Sequence, residues 1–335
     1  MKELLELTDN GLYCPAADVY IDPWHPVRYA LITHGHADHS RPGHQKYLCT
    51  HTAKPVMRYR LGHHSHIESV GFGETVRIKG VAFSFHPAGH IPGSAQIRVE
   101  HKGEIWVVSG DYKLEADGVC EAFEPVKCHT FITESTFGLP VYRWEPQSVI
   151  FDQINQWWRS NQREGLVSVL GAYALGKAQR LLRYLDPEIG AIYTHGAIEN
   201  VTAVLRAQKL RLPSTIRILP THKKKDFEGS LVLATPGAMN SSWAKRLGPH
   251  ATGLASGWMQ LRGARRRRAA DRGFVISDHA DWPGLLEAVK ATGATRVLAT
   301  HGYSDLFSRW LSENGWDAKP LDTQFVGESL EDESS

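Results

Sequence analysis

Short apolar runs separated by turn residues dominate the chain from its start to about residue 133. Glycine, proline and histidine fill many of the intervals between these runs. Runs of this kind, bounded by turn residues, predict the strands of a β-rich half of a sandwich. The predicted strands span residues 19–21, 29–33, 81–85, 96–99, 105–109 and 130–132.

From residue 139 to residue 272 the pattern changes, because helical periodicity alternates with short buried runs. Helices are predicted over residues 147–162 and 176–185, and strands over residues 166–170 and 191–194. This alternation indicates an α/β domain. After residue 272 the chain returns to short predicted strands, and two of them are followed by a histidine, His279 or His301.

The segment 33–40, THGHADHS, carries metal-binding side chains in the pattern H-x-H-x-D-H, namely His34, His36, Asp38 and His39. Imidazole nitrogens and carboxylate oxygens are ligands that Zn²⁺ and similar divalent ions accept. The preceding apolar run is predicted to be a buried strand whose end delivers these ligands. The alternate histidines can serve one metal, and the adjacent Asp38 and His39 can turn toward a second. The pattern therefore predicts a two-metal centre, with a histidine-rich polar loop as the alternative.

Two further ligand candidates lie in turns later in the chain. His90 is in the glycine-rich turn PAGHIPGSA, whose small residues allow the backbone to approach a metal closely. Asp111 comes at the carboxyl end of a predicted strand and could place one oxygen on each metal. We therefore assign His90 as the third ligand of the first metal and Asp111 as a shared ligand. Each residue taken alone could equally be part of an ordinary turn.

Length and composition allow a large core, since the chain has 335 residues and 42% of them are hydrophobic. No segment approaches the roughly 18 consecutive apolar residues of a membrane helix. The first residues include acids where an export signal needs a basic and then an apolar run. We therefore expect a cytoplasmic protein with no membrane partner. The cysteines Cys14, Cys49, Cys120 and Cys128 lack a C-x-x-C spacing and are expected to be free thiols.

The formal net charge of +2 conceals an uneven distribution. Between Val201 and Arg272 there are fifteen lysines and arginines against three acids, a local balance of +12, so the remainder of the chain sums to −10. A basic region joined to an acidic body indicates a polyanionic partner such as nucleic acid. The alternative is a solvated basic face with no ligand.

The ordered set of motifs resembles a known family. The H-x-H-x-D-H segment, followed by His90 and Asp111, is similar to the signature of the metallo-β-lactamase fold, a four-layered αββα sandwich that mostly carries two metals. Three later motifs resemble those of its β-CASP branch, which acts on nucleic acids and carries an inserted α/β cap domain. These motifs are TESTFG at 133–138, SDHAD at 277–281 and ATHG at 299–302.

The resemblance implies a domain organisation. The expected metallo-β-lactamase domain is split into a first part over 1–138 and a second part over 273–327. The expected β-CASP cap domain covers 139–272. The remaining residues, 328–335, are acidic and polar and are expected to form a disordered tail.

The resemblance also implies the role of each site residue. One divalent ion is expected on His34, His36 and His90, the other on Asp38, His39 and His301, with Asp111 bridging the two. Zn²⁺ is the expected metal, and Mn²⁺ is the alternative for activity. The candidate catalytic residues are Asp111, His279 and Glu134, of which Glu134 orients His279. Asp22 is expected to orient a metal ligand. The candidate nucleic-acid contacts are Lys177, at a predicted strand-to-helix turn, and Arg265, Arg266, Arg267 and Arg268.

Longer phrases around the first two β-CASP motifs are similar to those of the bacterial ligase-associated DNA exonucleases. They are ESTFGLPVYRW at 134–144 and SDHADWPGL at 277–285. Proteins of that group are encoded near a DNA ligase and a helicase and are implicated in DNA repair. The resemblance therefore implies an exonuclease that digests single-stranded DNA from the 5′ end, with a DNA ligase and a helicase as candidate partners.

Two other functions stay open at this point. A histidine at the third β-CASP motif, here His301, is associated with RNA-processing members, so a ribonuclease of the mRNA 3′-end-processing type is the first alternative. The second is a catalytically weak nucleic-acid-binding protein that keeps the fold for its basic cap. No base-reading motif in the sequence decides between DNA and RNA.

Overall fold

The computed structural model describes residues 3–239, 241–261 and 270–325. These residues form two compact units, one of which is divided along the chain. The split unit runs up to Arg143 and resumes at His279, and the inserted unit runs from Trp144 to Asp278. The insertion thus begins at 144 rather than at the predicted 139 and ends at 278 rather than at 272. The predicted tail 328–335 and Arg265 to Arg268 lie outside the described residues.

The described residues form both strands and helices, as the sequence predicts. The strands are β1 Glu6–Thr8, β2 Gly11–Cys14, β3 Val19–Ile21, β4 Ala30–Leu31, β5 Tyr47–Thr50, β6 Ile67–Val70, β7 Thr75–Ile78, β8 Val81–Pro87, β9 Ala95–His101, β10 Glu104–Val108, β11 Thr130–Ser135, β12 Val167–Gly171, β13 Ile192–Thr194, β14 Ile216–Arg217, β15 Leu231–Ala234, β16 His250–Ala255, β17 Arg272–Phe274, β18 Arg296–Gly302 and β19 Asp317–Pro320. The helices are α1 Ala53–Leu61, α2 Gln147–Arg163, α3 Lys177–Tyr184, α4 Gly196–Ala207, α5 Pro236–Met239, α6 Trp282–Thr292 and α7 Ser304–Glu313. Short 3-10 turns cover Lys224–Phe227, Ala244–Leu247 and Gly257–Gln260.

The split unit is a sandwich of two sheets. The first sheet has the order β1-β2-β3-β4-β5-β6 and the second the order β19-β18-β11-β10-β9-β8-β7. Apolar side chains of both sheets form one buried core between them, including Val19 and Ile21 from β3 and Phe83 and Phe85 from β8. Burying each such side chain stabilises the fold by roughly 1.5–3 kcal/mol.

Helices cover the outer faces of both sheets. Met57 of α1 packs on residues of β4 and β5, and helices α6 and α7 pack on β11 and β18 through Leu285 and Leu311. The start of α6 is encoded locally, since the Asp281 side chain accepts a hydrogen bond from the Gly284 N–H. The layers are therefore helix, sheet, sheet and helix, which confirms the predicted αββα sandwich.

Parallel neighbours within each sheet bring strand ends to one edge. In the first sheet, β3 and β4 are parallel neighbours. In the second, β11 lies between β10 and β18 and is parallel to both. The carboxyl ends of parallel strands meet at the same edge, so the residues that follow β10, β11 and β18 are brought together.

The inserted unit has its own sheet and core. The strands of its sheet have the order β14-β13-β15-β12-β16-β17. All neighbouring strands in this sheet are parallel. Helix α2 buries apolar residues spaced three or four apart, including Ile150, Ile154 and Trp158, against this sheet. The predicted α/β architecture of the insertion is confirmed.

Two observations concern the expectations about membranes and thiols. None of the described helices combines the length and the apolar character needed to cross a bilayer. Cys14, Cys49 and Cys128 are buried free thiols, as predicted, whereas Cys120 is half-buried and its Sγ lies 3.6 Å from Oδ2 of Asp117.

Candidate metal centre

The segment 33–40, called the metal loop below, follows β4, and Asp22 follows the neighbouring strand β3. The Asp22 carboxylate accepts hydrogen bonds from the backbone N–H of Thr33 at 2.8 Å and from its hydroxyl at 2.5 Å. Its Oδ2 also lies 2.7 Å from Nδ1 of His39. Because Nδ1 is engaged in this way, Nε2 is the ring nitrogen that His39 presents to the centre. Asp22 thus contacts His39, a candidate ligand of the kind that the sequence analysis expects Asp22 to orient.

The first group of potential ligands combines the metal loop with two later turns. Ligand atoms of His34, His36, His90 and Asp111 all lie within 4.8 Å of one another. Nε2 of His90 is 3.0 Å from Nδ1 of His36. Oδ2 of Asp111 is 3.5 Å from Nε2 of His34 and 3.7 Å from Nε2 of His90. Residues far apart in sequence therefore form one buried cluster with the chemistry of a metal site.

A second group of ligands shares Asp111 with the first. It contains His39, Asp111 and His301, again with ligand atoms within 4.8 Å of one another. Oδ1 of Asp111 lies 3.0 Å from Nε2 of His301, and Oδ2 lies 3.7 Å from Nε2 of His39. Asp38 is more peripheral, with its Oδ2 3.8 Å from Nε2 of His39. Asp111 thus contacts both groups through its two oxygens, as a bridging ligand would.

The donor set fits a divalent cation. Nε2 of His34 and Nε2 of His39 are buried and have no hydrogen-bond partner among the described residues. A buried polar group left without a partner costs about 1–3 kcal/mol. A metal ion bound by these nitrogens would remove that cost, and imidazoles combined with a carboxylate are a typical ligand set for Zn²⁺ and similar ions.

The carboxylates around His39 favour a positive charge on its ring. Burial alone would lower the pKa of His39, but the negative charges of Asp38, Asp111 and Asp22 outweigh it and raise this pKa to about 10. Burial holds the pKa of His34 well below its usual value, and nearby His39 lowers it further. Burial would raise the pKa of Asp111, but the surrounding histidines hold it well below the usual range. His34 is thus a neutral imidazole and Asp111 an anion, the protonation states that metal ligands require.

Two glycines allow close backbone approaches beside the candidate ligands Asp111 and His90. Gly110, which precedes Asp111, has φ +56°, and a Cβ there would lie 2.7 Å from Oγ1 of Thr33. Gly89, which precedes His90, has φ +75°, and a Cβ would lie 2.1 Å from the backbone oxygen of Lys113. Any side chain at either position would displace the ligand beside it.

Glu134 and His279 form a buried pair beside the ligands. Nδ1 of His279 lies 2.8 Å from Oε2 of Glu134, and the His279 and His90 ring centroids are 4.7 Å apart. Glu134 also accepts hydrogen bonds from the Tyr112 N–H at 2.7 Å and the Thr136 hydroxyl at 2.6 Å. A carboxylate held by several donors cannot turn easily, so it fixes the orientation of the imidazole.

Lys177 is not placed as a nucleic-acid contact would be. Its side chain is buried, its Nζ lies 3.6 Å from Oδ2 of Asp278, and it lies over the Tyr173 ring. Arg180 is also buried and lies 2.8 Å from Oδ1 of Asp278. The positive charge of Lys177 thus faces a carboxylate of its own unit, which argues against the predicted phosphate contact. The predicted contacts Arg265 to Arg268 lie outside the described residues.

Arg60, on helix α1, supports the metal loop and was not predicted from the sequence. Its Nη1 donates hydrogen bonds to the Gly35 carbonyl at 2.5 Å and the Ser40 hydroxyl at 2.7 Å. Burial lowers the pKa of this guanidinium, and the nearby Asp38 opposes that shift. A lone arginine carries no sequence signal for such a contact.

A cluster of exposed cations on the inserted unit was also not singled out. We call it the lysine patch, and it consists of Lys223, Lys224, Lys225, Lys245 and Arg246. Its two turns lie together, since a Cβ on Gly248 would be 3.5 Å from Cβ of Lys224 and Arg246 donates a hydrogen bond to the Leu219 carbonyl. The overall charge count indicated this region, but only the structure shows which cations lie side by side.

Comparison with known proteins agrees with this geometry. No family model matches the chain. The chain is 30% identical over 315 residues to a protein named "Probable DNA ligase" from Opitutus terrae, covering 92% of the chain and 30% of that protein. It is 28% identical over 211 residues to the cleavage and polyadenylation specificity factor subunit 3-I of Arabidopsis thaliana, covering 54% of the chain and 30% of that protein. It is 24% identical over 289 residues to the endoribonuclease ysh1 of Schizosaccharomyces pombe, covering 70% of the chain and 38% of that protein.

The chain belongs to the β-CASP branch of the metallo-β-lactamase fold. This β-CASP chain spans only about a third of the length of the curated relatives it matches. A solved structure of a protein of unknown function from Enterococcus faecalis shares its fold, with a TM-score of 0.62, 9% identity, and coverage of 88% of this chain and 78% of that one. At such low identity the likeness concerns the fold alone.

Proposed function

We propose that the protein is a metal-dependent phosphodiesterase that digests single-stranded DNA from its 5′ end. The observation that carries the proposal is one buried cluster in which two ligand groups share Asp111 and the Glu134–His279 pair lies beside them. Two metal ions at such a centre can stabilise the attacking and leaving oxygens of a phosphodiester displacement, and an oriented imidazole can transfer a proton. A location in the cytoplasm and a role in DNA repair remain part of the proposal.

The proposed ligand sets follow the two clusters. His34, His36 and His90 would hold one divalent ion, Asp38, His39 and His301 the other, and Asp111 both. The histidine-rich set favours Zn²⁺, with Mn²⁺ as the alternative. When bound, such ions supply a nucleophile at neutral pH and neutralise charge on the phosphate oxygens.

The protein's own residues are proposed to protonate the leaving group and to orient the imidazoles of His279 and His39. The Glu134 carboxylate accepts a hydrogen bond from the Nδ1–H of His279 and so fixes the ring in one tautomer. The other ring nitrogen, Nε2, would then hydrogen-bond the scissile phosphate or give a proton to the departing oxygen. Asp22 would hold His39 in the tautomer that binds metal.

The lysine patch is the proposed contact for the nucleic-acid backbone. Its side chains are exposed and form one basic surface. The acid in the same turn, Asp226, has its carboxylate 2.8 Å from the backbone N–H of Lys223, which it holds in a capping contact. Binding to phosphates through such cations is independent of sequence and is weakened by salt.

DNA is favoured as the substrate because the chain aligns over 92% of its length with a protein whose name refers to a DNA ligase. The name of that relative makes a DNA ligase a candidate partner, and the resemblance to the ligase-associated group makes a helicase the other. RNA is the second candidate, since other relatives are named for endoribonuclease activity and for cleavage and polyadenylation. A catalytically weak binding protein is disfavoured, because every predicted ligand is present.

The test is a nuclease assay on end-labelled single-stranded DNA and RNA of the same sequence, each with Zn²⁺ or Mn²⁺. An Asp111→Ala variant serves as the control for contaminating nuclease. Progressive shortening of DNA from the 5′ end that is absent in the control is the expected result. Cleavage of RNA alone would replace the DNA proposal with the ribonuclease, and cleavage of neither would leave the binding protein.

A further inference from the structure

The chain that follows β19 crosses to the metal loop. We call residues 321–325 the strap. It begins where the Leu321 N–H donates a hydrogen bond to the Ala299 carbonyl of β18. It ends at Phe325, whose ring stacks on the imidazole of His39 with centroids 4.3 Å apart and planes 6° from parallel. An aromatic ring therefore covers one face of a candidate metal ligand.

Further contacts hold Phe325 in this position. Its ring meets Trp24 edge to face at 5.8 Å and His301 edge to face at 5.7 Å. Trp24 is itself fixed, because its indole N–H donates a hydrogen bond to the Asp9 carbonyl at 2.7 Å. Phe325 thus touches two of the three members of the second ligand group.

Arg41 joins the strap to the metal loop. Its Nη2 donates a hydrogen bond to the Gln324 carbonyl at 3.2 Å, and its Nη1 lies 3.5 Å from the Trp24 carbonyl. Its Nε is 3.4 Å from the Asp38 carbonyl. One guanidinium therefore contacts the backbone of the strap, of the Trp24 turn and of the metal loop.

The stacking supplies a restraint that the hydrogen bond to Asp22 does not. A hydrogen bond at Nδ1 fixes one corner of the His39 ring but leaves the plane able to pivot about that atom. A parallel ring on the face prevents this pivot and keeps water away from the same side. Groups that orient a metal ligand typically change metal affinity by 10- to 100-fold.

We infer that Phe325 is a positioning residue for the second metal group, and that the strap closes that group on the side of His39. The inference rests on the proposed metal centre. It names a function for a residue that contributes no ligand atom and lies far from the metal-binding motifs in sequence. It also predicts which of the two groups depends on the strap, since the described contacts reach His39 and His301.

The test compares Phe325→Ala with Phe325→Tyr, which keeps the aromatic face. Phe72→Ala is the matched control, because Phe72 is also half-buried but packs on the core between the sheets. Bound metal per chain is measured after dialysis, and affinity is measured by competition with a chelator. We expect Phe325→Ala to bind the metal of the second ligand group about tenfold less tightly and the metal of the first group as tightly as wild type. Phe325→Tyr and Phe72→Ala should bind both metals as wild type does.

Arg41→Gln provides a second route, because it releases the strap and leaves the ring in the chain. It should weaken the same metal in the same direction, and it keeps the inference testable if Phe325→Ala does not fold. Unchanged metal affinity in Phe325→Ala, or an equal loss in Phe72→Ala, would overturn the inference. A wild type that binds metal but cleaves no nucleic acid would refute the proposed function alone, whereas a wild type that binds no metal would refute both.

Discussion

Replacing Glu134 by glutamine tests whether catalysis depends on an oriented His279. In the wild type the N–H of Tyr112 binds Oε1 of Glu134, and the Thr136 hydroxyl and Nδ1 of His279 both bind Oε2. An amide of the same shape has one acceptor oxygen, so it cannot accept from all three donors. If its NH₂ group faces His279, the ring must turn or change tautomer.

The magnitude follows from the contact that is lost. Glu134 is buried, and a hydrogen bond to a charged group contributes about 1.5–3 kcal/mol. At about 1.4 kcal/mol for each factor of ten, this corresponds to a rate loss of roughly 10- to 150-fold. The expected result is a loss of that size in the single-turnover rate on end-labelled single-stranded DNA. Bound metal should not change, because Glu134 is not a proposed ligand.

Two companion variants make the result interpretable. Glu100→Gln removes a carboxylate from β9 that is ion-paired with Arg98 at 2.8 Å, and it should leave the rate unchanged. His279→Ala removes the ring itself and should lose at least as much rate while keeping its metal. If Glu134→Gln lost metal in proportion to activity, Glu134 would be supporting the ligands. If its rate matched wild type, the orientation argument would be wrong.

Three further predictions address the ligand support, the basic surface and the response to acid. Asp22→Asn should weaken metal binding by about 10-fold or more, because the amide cannot accept hydrogen bonds from both Thr33 and the Nδ1–H of His39. Competition with a chelator measures the affinity, and an unchanged affinity would contradict this prediction. Neutralising three lysines of the patch to glutamine should reduce the slope of log binding constant against log salt by about 2 for a single strand, whereas an unchanged slope would show that the patch does not bind it. The residues changed are Lys223, Lys224 and Lys225. Burial lowers the pKa of His44 from its ordinary value of 6.5 to about 4, so folded protein excludes a proton that the unfolded chain accepts. Neutral His44 therefore contributes fully to the free energy of unfolding above pH 6.5. This contribution, at most about 3 kcal/mol, is lost as the pH falls toward 4. In urea unfolding, the stability gap between wild type and His44→Gln should narrow at acid pH, and a constant gap would refute the assignment.

Periodicity located several elements of the fold, because a buried face imposes a regular spacing of apolar residues. The helix predicted over 147–162 is Gln147–Arg163, and the strand predicted over 19–21 is Val19–Ile21. The run predicted as a strand over 29–33 shows where the method fails. Only Ala30–Leu31 is paired as a strand there, because the backbone N–H of Thr33 bonds to the Asp22 side chain rather than to a neighbouring strand.

Some residues of the candidate site could likewise be predicted from the sequence and others could not. The proposed ligands were predictable because they follow strands and come in motifs whose spacing reflects one short loop or turn. Arg60 and Phe325 gave no such signal, since each reaches the metal loop from a distant part of the chain. Lys177 was misjudged for the converse reason. Its position at a helix start suggested a phosphate, but a helix start alone does not reveal that Asp278 lies 3.6 Å away.

The choice between DNA and RNA cannot reside in the metal groups. In the proposed function they act on a phosphodiester, which both polymers share, and the 2′-hydroxyl that separates the polymers lies on the sugar. His301 suggested RNA from its motif, but in the structure it is a candidate ligand whose Nε2 lies 3.0 Å from Asp111. If His301 binds metal as proposed, it would affect the choice of substrate through the metal. Discrimination must therefore come from surfaces that contact the sugar, so equal cleavage of DNA and RNA by the wild type would mean that this protein lacks such a surface.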